Sequence, residues 1–290
     1  MKKEVAVRIK NKYKSHLACI GLVSLLSSMS LVAEEQDDKW LNWHDTSVTG
    51  LYGGGFEVDP SDQGTITLEH ASDWSFGDLF MFLDGTKYSH GDRNGNGDEE
   101  AWYGEATARL SIGKLTDTDF HFSIFQQDLV VFKDILFAAS YERGDDRDAT
   151  ESLLLGVGFD FDLSAFNLIG LDKLRYFQFN LFARNDFHSN DAGFKDYQIT
   201  ASTALPFQIG KAKFLADGFI DYVFGTGPLH ANFHFNPQVK LDLGHLYGGK
   251  SDQLFVGVEV DYWTNKYGIK DSSAFKTEQF AVSGLIKYHF

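Results

Sequence analysis

Cysteine and proline are scarce in this chain, whose 290 residues include one Cys and 4 Pro. A single cysteine excludes a small scaffold held together by disulfides. No run of about 18 consecutive apolar residues follows the N-terminal region, so helical membrane spans are excluded there. Basic residues are also few, with 26 Lys and Arg against 41 Asp and Glu and a net charge of −15. Nucleic acid is therefore not expected as a partner, because it is bound by basic surfaces.

The N-terminus has the pattern of a secretory signal peptide. Six basic residues come first, an apolar stretch follows from Leu17 to Leu26, and small residues continue to Ala33. We expect cleavage after Ala33, although a cut after Ser30 also fits. Cys19 has the apolar run after it rather than before it, which does not match a lipoprotein anchor. Without residues 1–33 the net charge is about −20, and the mature chain is expected to function outside the cytoplasm.

From about Ser47 onward, apolar residues alternate with polar or small ones in runs of about ten, a period typical of β-strands. The last run is the clearest, because one of its faces is apolar up to Phe290. That ending resembles the assembly signal of outer-membrane barrels. About twelve such runs are predicted, at residues 47–55, 64–72, 76–87, 102–112, 133–142, 153–162, 176–186, 195–207, 216–224, 235–244, 255–262 and 279–290.

This pattern predicts an all-β fold, a transmembrane antiparallel up-and-down β-barrel of about 12 strands. We expect a signal peptide at 1–33, a short N-terminal segment at 34–46 and the barrel at 47–290. A soluble β-sandwich is the alternative, but its strands are usually shorter. The barrel is also favoured by aromatic residues at strand ends, where a bilayer interface would lie. These are Tyr52, Trp74, Tyr88, Trp102, Tyr141, Tyr222, Trp263 and Tyr288.

The connections between strands differ in length and predict the orientation of the barrel. The tight ones, at 73–75 and 208–211, are expected to be periplasmic turns. The longer polar ones are expected outside the cell, at 89–101, 143–150, 188–194, 225–232 and 264–274. The segments 113–121 and 164–173 are long, but strand parity places them on the periplasmic side.

If one face of each strand meets lipid, the other lines a lumen that decides what passes. Aromatic rings there can stack on planar solutes, and carboxylates can accept hydrogen bonds from sugar hydroxyls. For any single residue, a filling or charge-pairing role is the alternative interpretation. The candidate substrate-binding residues are Phe80, Phe82, Asp84, Tyr103, Glu105, Arg109, Tyr176, Arg184, Asp217, Phe219, Asp221, Phe255, Glu259 and Asp261.

One segment resembles a known family. Residues 109–120 read Arg-Leu-Ser-Ile-Gly-Lys-Leu-Thr-Asp-Thr-Asp-Phe, with Phe122 and Phe125 after them. They resemble the central segment of the Tsx nucleoside channels and their OmpK-like relatives, as do residues 40–44, 73–74 and 156–162 and the C-terminal strand. The resemblance implies a monomeric twelve-stranded barrel in the Gram-negative outer membrane that conducts nucleosides and deoxynucleosides. It also implies use of the surface loops as a phage or colicin receptor.

We therefore expect a passive nucleoside channel that contacts outer-membrane lipid and the barrel assembly machinery, with no cofactor, metal or catalytic residue. Asp92, Asn94 and Asn96 imitate a calcium loop, but Tyr103 stands where the bidentate Glu is required. A general small-solute porin and a closed-lumen surface receptor remain alternatives. A barrel enzyme would need a nucleophile or an activated water, for which the sequence supplies no motif.

Overall fold

A computed structural model describes residues 40–89, 99–123, 130–145, 150–163, 174–187 and 193–290. The expected signal peptide and the imitated calcium loop lie outside these residues. So do parts of the expected loops at 89–101, 143–150 and 188–194 and the whole of the connection at 164–173.

The described residues form one antiparallel sheet. Its strands are β1 (Leu41–Gly54), β2 (Asp62–Trp74), β3 (Gly77–Tyr88), β4 (Glu100–Ser111), β5 (Phe122–Ser123), β6 (Val131–Gly144), β7 (Glu151–Asp162), β8 (Tyr176–Asp186), β9 (Asp196–Ile209), β10 (Ala212–Val223), β11 (Asn232–Asp242), β12 (Leu254–Thr264) and β13 (Gln279–His289). The two-residue β5 pairs beside β6, and the other twelve strands form a ring that closes through the β4–β6 and β1–β13 pairings. The predicted twelve-stranded barrel is confirmed.

Each barrel strand has one face toward lipid and one toward the lumen, because side chains alternate along a strand. On β13, Phe280 and Ile286 are exposed on the outer surface, whereas Ala281 and Ser283 are buried inside. The same parity continues around the ring, since register partners share a face. The apolar face that was predicted for the last strand is therefore the lipid-facing one.

The first strand is longer than predicted. It begins at Leu41 and pairs with β2 from there, whereas its pairing with β13 begins only at Ser47. Residues 41–46, which were assigned to an N-terminal segment, are thus strand residues. Leu41 and Trp43 alternate with polar residues, but His44, Asp45 and Thr46 are polar at three successive positions and interrupt the alternation before Ser47.

Two of the aromatic residues expected at the bilayer interface face the lumen instead. Tyr88 is buried and pairs with Gln63, and Trp263 shares the inner face of β12 with Asp261. Their positions near strand ends suggested the bilayer interface, but the alternation of side chains along the strand decides whether a residue faces lipid or the lumen. The other six are on outer positions, where Tyr52 is 61 % exposed.

Two short helices lie in connections at the same end of the barrel, α1 (Ile112–Thr116) between β4 and β5 and α2 (Leu243–Leu246) between β11 and β12. Ser111 caps the N-terminus of α1 by accepting from the Lys114 backbone N–H. The Lys114 ammonium binds the Asp73 carboxylate and the Trp74 carbonyl in the β2–β3 turn. Much of the segment that carries the family resemblance therefore lies at this end of the barrel and is bonded to the β2–β3 turn. Within the described residues, no helix is long and apolar enough to cross a membrane.

Because the outer positions of the strands face lipid, a charge placed there should lower the free energy of unfolding, and by more at the middle of the bilayer than near its surface. Val258 lies in the middle of β12 and is 50 % exposed, whereas Phe290 directly follows the last strand, at the end of the barrel wall. We expect Val258→Lys to reduce the free energy of unfolding by about 2–4 kcal/mol and Phe290→Lys by about 0–1 kcal/mol. Reversible denaturant titration in lipid measures both. Equal costs for the two variants would contradict the assignment of the lipid face.

Candidate functional site

All of the candidate substrate-binding residues are placed on the inner face of the barrel by the register. They come from five strands: Phe80, Phe82 and Asp84 on β3; Tyr103, Glu105 and Arg109 on β4; Tyr176 and Arg184 on β8; Asp217, Phe219 and Asp221 on β10; Phe255, Glu259 and Asp261 on β12. The inner face is therefore the one that the alternation predicted. It does not bring all fourteen residues together.

Arg109 lies flat against the barrel wall. Its guanidinium donates to both carboxylate oxygens of Asp78 at 2.8 and 2.6 Å and to Asp160 at 2.8 Å. Asp160 is on β7, so the side chain passes over β6 and covers Leu136, which is only 1 % exposed. An arginine held between two carboxylates in this way is not available to a solute.

Arg184 makes a second arrangement of the same kind. It donates to Glu142 at 2.8 and 2.6 Å, to Asp186 at 2.9 Å and to the Gln198 amide oxygen at 2.8 Å. Because Glu142 is on β6, this side chain crosses β7 and lies above Leu154, which is 1 % exposed. For Arg109 and Arg184 the charge-pairing interpretation is the one that the geometry supports.

Two lysines of the inner face are paired with carboxylates as well. Lys240 Nζ lies 2.6 Å from both carboxylate oxygens of Asp217, and Lys287 Nζ lies 2.6 Å from Glu69. Glu69, Asp78 and Glu142 were absent from the candidate residues. Strand parity could have found them, since their register partners are the candidate residues Phe82 on β3 and Arg109 and Glu105 on β4.

Four of the six candidate carboxylates form no ion pair with a side chain of the described residues, and accept hydrogen bonds from neutral groups instead. They are Asp84, Glu105, Asp221 and Glu259, whose donors are Thr67 at 2.6 Å, Ser140 and Thr107 at 2.8 and 2.9 Å, Thr200 at 2.5 Å and Gln238 at 2.7 Å.

Solvent reaches the lumen along two opposite walls. The inner side chains of β13 from Gln279 to Lys287, and those of β6 from Leu136 to Gly144, are buried. On β3, Phe80 is 40 % exposed, and Phe82, Asp84 and the inner residues of β10 after Leu215 are half-buried. β3 and β10 are six strands apart in the ring of twelve, so they face each other. We name the space between them the passage.

Aromatic rings line both walls of the passage. On one wall, Phe80, Phe82 and Tyr103 form a ridge with ring centroids 6.2 and 5.8 Å apart. On the other, Phe219, His234, Trp263 and Tyr267 form a column. Within the column, His234 stacks on Trp263 at 3.8 Å with 14° between the planes, and Phe219 meets His234 at 4.9 Å. His234 and Trp263 were not among the candidate residues.

Two candidate residues lie away from this part of the passage. Phe255, near the start of β12, is 2 % exposed and packs in a cluster with Ala204 and Leu215. Tyr176 begins β8 at the same end of the barrel and is 42 % exposed. Alternation predicted the face of these residues, but their depth along the barrel follows from the register.

The sequence matches the model of the family described as nucleoside-specific channel-forming protein, Tsx, over residues 36–290. The chain belongs to this family. A relative in Vibrio parahaemolyticus serotype O3:K6 (strain RIMD 2210633), outer membrane protein OmpK, is 22% identical over 96% of this chain and 100% of its own length. This Tsx-family chain is thus a channel-forming protein of the outer membrane.

Solved barrels of other kinds are similar to the chain at low identity. The KdgM porin is 10% identical with a TM-score of 0.45, over 84% of this chain and 99% of its own. Outer membrane phospholipase A from Escherichia coli is 10% identical with a TM-score of 0.49, over 84% of this chain and 92% of its own.

The paired arginines predict a test of stability. Arg109→Met leaves Asp78 and Asp160 without their cation, and we expect it to reduce the free energy of unfolding by about 3–5 kcal/mol. Neutralising both partners as well, by Asp78→Asn and Asp160→Asn, should recover most of that loss. The control is Arg175→Met, which breaks an exposed pair with Asp252 and should cost less than about 1 kcal/mol. The measurement is a denaturant titration. If Arg109→Met unfolds at the same denaturant midpoint as the wild type, the assigned role is refuted.

Proposed function

We propose that this protein is a passive channel for nucleosides and deoxynucleosides. The observation that carries the proposal is the composition of the passage, where aromatic rings occupy two opposite walls and the carboxylates between them have no cationic partner among the described residues. The family model, which describes nucleoside-specific channels, supports it.

The aromatic ridge and column suit a planar base. Phe82 on β3 and Phe219 on β10 face each other across the passage, because their strands are opposite in the ring. Stacking on an aromatic side chain contributes about 1–3 kcal/mol per base and does not depend on which base is present. A channel built in this way retains a nucleoside weakly and accepts purines and pyrimidines alike.

The carboxylates suit the sugar. An ionised carboxylate is an acceptor with about four lone-pair sites, and Asp84 accepts one hydrogen bond from Thr67 in the structure. Asp221 accepts from Thr200 and Gln198. Capacity remains on each for hydroxyl donors of a ribose or deoxyribose. Arg109 and Arg184 do not compete for these acceptors, since other carboxylates hold them.

Membership in a channel-forming family supports the expectation that the protein is not an enzyme. A monomeric state and use of the surface loops by a phage or colicin stay predictions of the resemblance. So does dependence on the barrel assembly machinery.

Removing either of the two facing rings should lower the uptake of nucleosides but not that of sugars. We expect Phe82→Leu and Phe219→Leu each to lower adenosine uptake into liposomes about tenfold, which corresponds to about 1.4 kcal/mol of lost stacking. Uptake of a hexose should stay unchanged or rise. The matched control is Phe159→Leu, on the lipid-facing side of β7 near Phe132 and Phe179. If wild-type protein passes adenosine and a hexose at equal rates, it is a general porin.

The unpaired carboxylates predict discrimination against charged relatives of the solute. A nucleoside monophosphate carries about two negative charges at neutral pH, and these are repelled by Glu105 and Asp221. We expect adenosine to enter at least about tenfold faster than its monophosphate at low salt. High salt should narrow the gap by screening, and so should Glu105→Gln combined with Asp221→Asn. Comparable uptake of the two solutes at low salt would contradict the electrostatic argument.

A further inference from the structure

Asp261 joins three strands at the long-loop end of the passage. It accepts hydrogen bonds from Nε2 of His234 at 2.7 Å, Nε1 of Trp263 at 2.9 Å and Nε2 of Gln279 at 2.6 Å. These donors lie on β11, β12 and β13. Two of them are the stacked pair at the centre of the aromatic column, so this carboxylate fixes the orientation of both rings.

The contacts continue from Gln279 into the outer loops. The Gln279 amide oxygen accepts from Lys266 Nζ and from the Glu57 backbone N–H, both at 2.9 Å. Lys266 Nζ also lies 3.5 Å from Asp59 in the β1–β2 loop and 5.9 and 5.2 Å from the ring centroids of Trp263 and Tyr267. We name Asp59, His234, Asp261, Trp263, Lys266 and Gln279 the mouth network.

The loop that carries Lys266 is held in a strained conformation. Tyr267 has φ = 60° and Asn265 has φ = 48°, a region that costs free energy for a residue as bulky as Tyr and persists where surrounding contacts enforce it. The Asn265 amide donates to the Ala231 carbonyl at 3.0 Å. Further along the loop, the Thr277 backbone N–H donates to Asp271 and lowers the pKa of that carboxyl.

The two members that link the column to the loop are buried, which makes the contacts of the mouth network depend on one another. Lys266 is 5% exposed and Gln279 1% exposed. A buried amide or ammonium that loses one partner retains a desolvation cost, so removal of one member disturbs the next. Asp261 is the member that touches both the column and, through Gln279, the loop.

We propose that Asp261 is a positioning residue that holds the aromatic column and the β12–β13 loop as one unit, and thereby sets the affinity of the passage for solutes that stack on Phe219. The effect on solute affinity rests on the proposed function, whereas the mechanical coupling does not. Lys266 lies over the Trp263 and Tyr267 rings but makes no hydrogen bond to the Trp263 indole N–H. It is then expected to influence that N–H through Gln279 and Asp261.

The coupling is measured without a solute by hydrogen exchange of the Trp263 indole N–H. The chain contains 5 Trp, so the resonance of full-length protein in lipid is assigned by its loss in Trp263→Phe. We expect Lys266→Met to speed this exchange at least about threefold, although Lys266 is not the hydrogen-bond partner of the indole. Lys266→Arg should restore most of the protection. Lys114→Met, which removes a lysine at the other end of the barrel, is the control and should leave the exchange unchanged.

The consequence for the solute is measured by a double-mutant cycle of Asp261→Asn and Lys266→Met on adenosine block of single-channel current. Each single variant should weaken the block about tenfold. The double variant should lose no more than the more damaging of the two single variants, because both substitutions interrupt one unit. A multiplicative loss of about a hundredfold would overturn the proposal. So would indole exchange that Lys266→Met leaves at the wild-type rate.

Failure of the proposed function looks different from failure of this inference. Absence of adenosine block in wild-type protein refutes nucleoside binding, and the indole exchange then still decides whether Asp261 and Lys266 act together. Adenosine block in wild type that is unchanged in Asp261→Asn refutes the positioning role alone.

Discussion

Closure of the hydrogen-bonded ring is the constraint on which the rest of the structure depends. In lipid no water is available for backbone N–H and C=O groups, so a sheet that spans the membrane must pair its edges. Here β1 pairs with β13 and β4 pairs with β6. Once the ring is closed, every strand has one face toward lipid and one toward the lumen, and the alternation of the sequence becomes a division between membrane contact and solute contact.

The lumen divides its charges into two groups with different consequences. Arg109, Arg184, Lys240 and Lys287 lie against the wall in pairs with carboxylates, where they bury apolar side chains such as Leu136 and Leu154. The carboxylates that these cations do not reach face the passage between aromatic walls. Because the cations are held, the passage has an acidic and aromatic character that the bare composition of the inner face does not reveal. From the sequence alone, the charged residues of both signs on the inner face were candidates for binding the substrate.

The fold was largely predictable, because a period of two repeats over strands long enough to be recognised individually. The prediction was wrong at β1, where residues 41–46 pair with β2 although the polar residues 44–46 interrupt the alternation. It was also wrong at Tyr88 and Trp263, where aromatic character suggested an interface position. The inner face of the candidate residues was correct for all fourteen. Their grouping was not predictable, since Phe255 and Tyr176 differ from Phe82 in depth and only the register sets that depth.

The sequence by itself determined the barrel, the side of each strand that meets lipid and the family to which the chain is similar. Local alternation and a spread of recognisable segments are sufficient for these, because both are properties of neighbouring residues. Only the tertiary structure decided which charges neutralise each other, as between Arg109 on β4 and Asp160 on β7. It alone also decided that His234 stacks on Trp263 beside Asp261. Such contacts join side chains on different strands, and their geometry depends on register and closure, which no local pattern encodes.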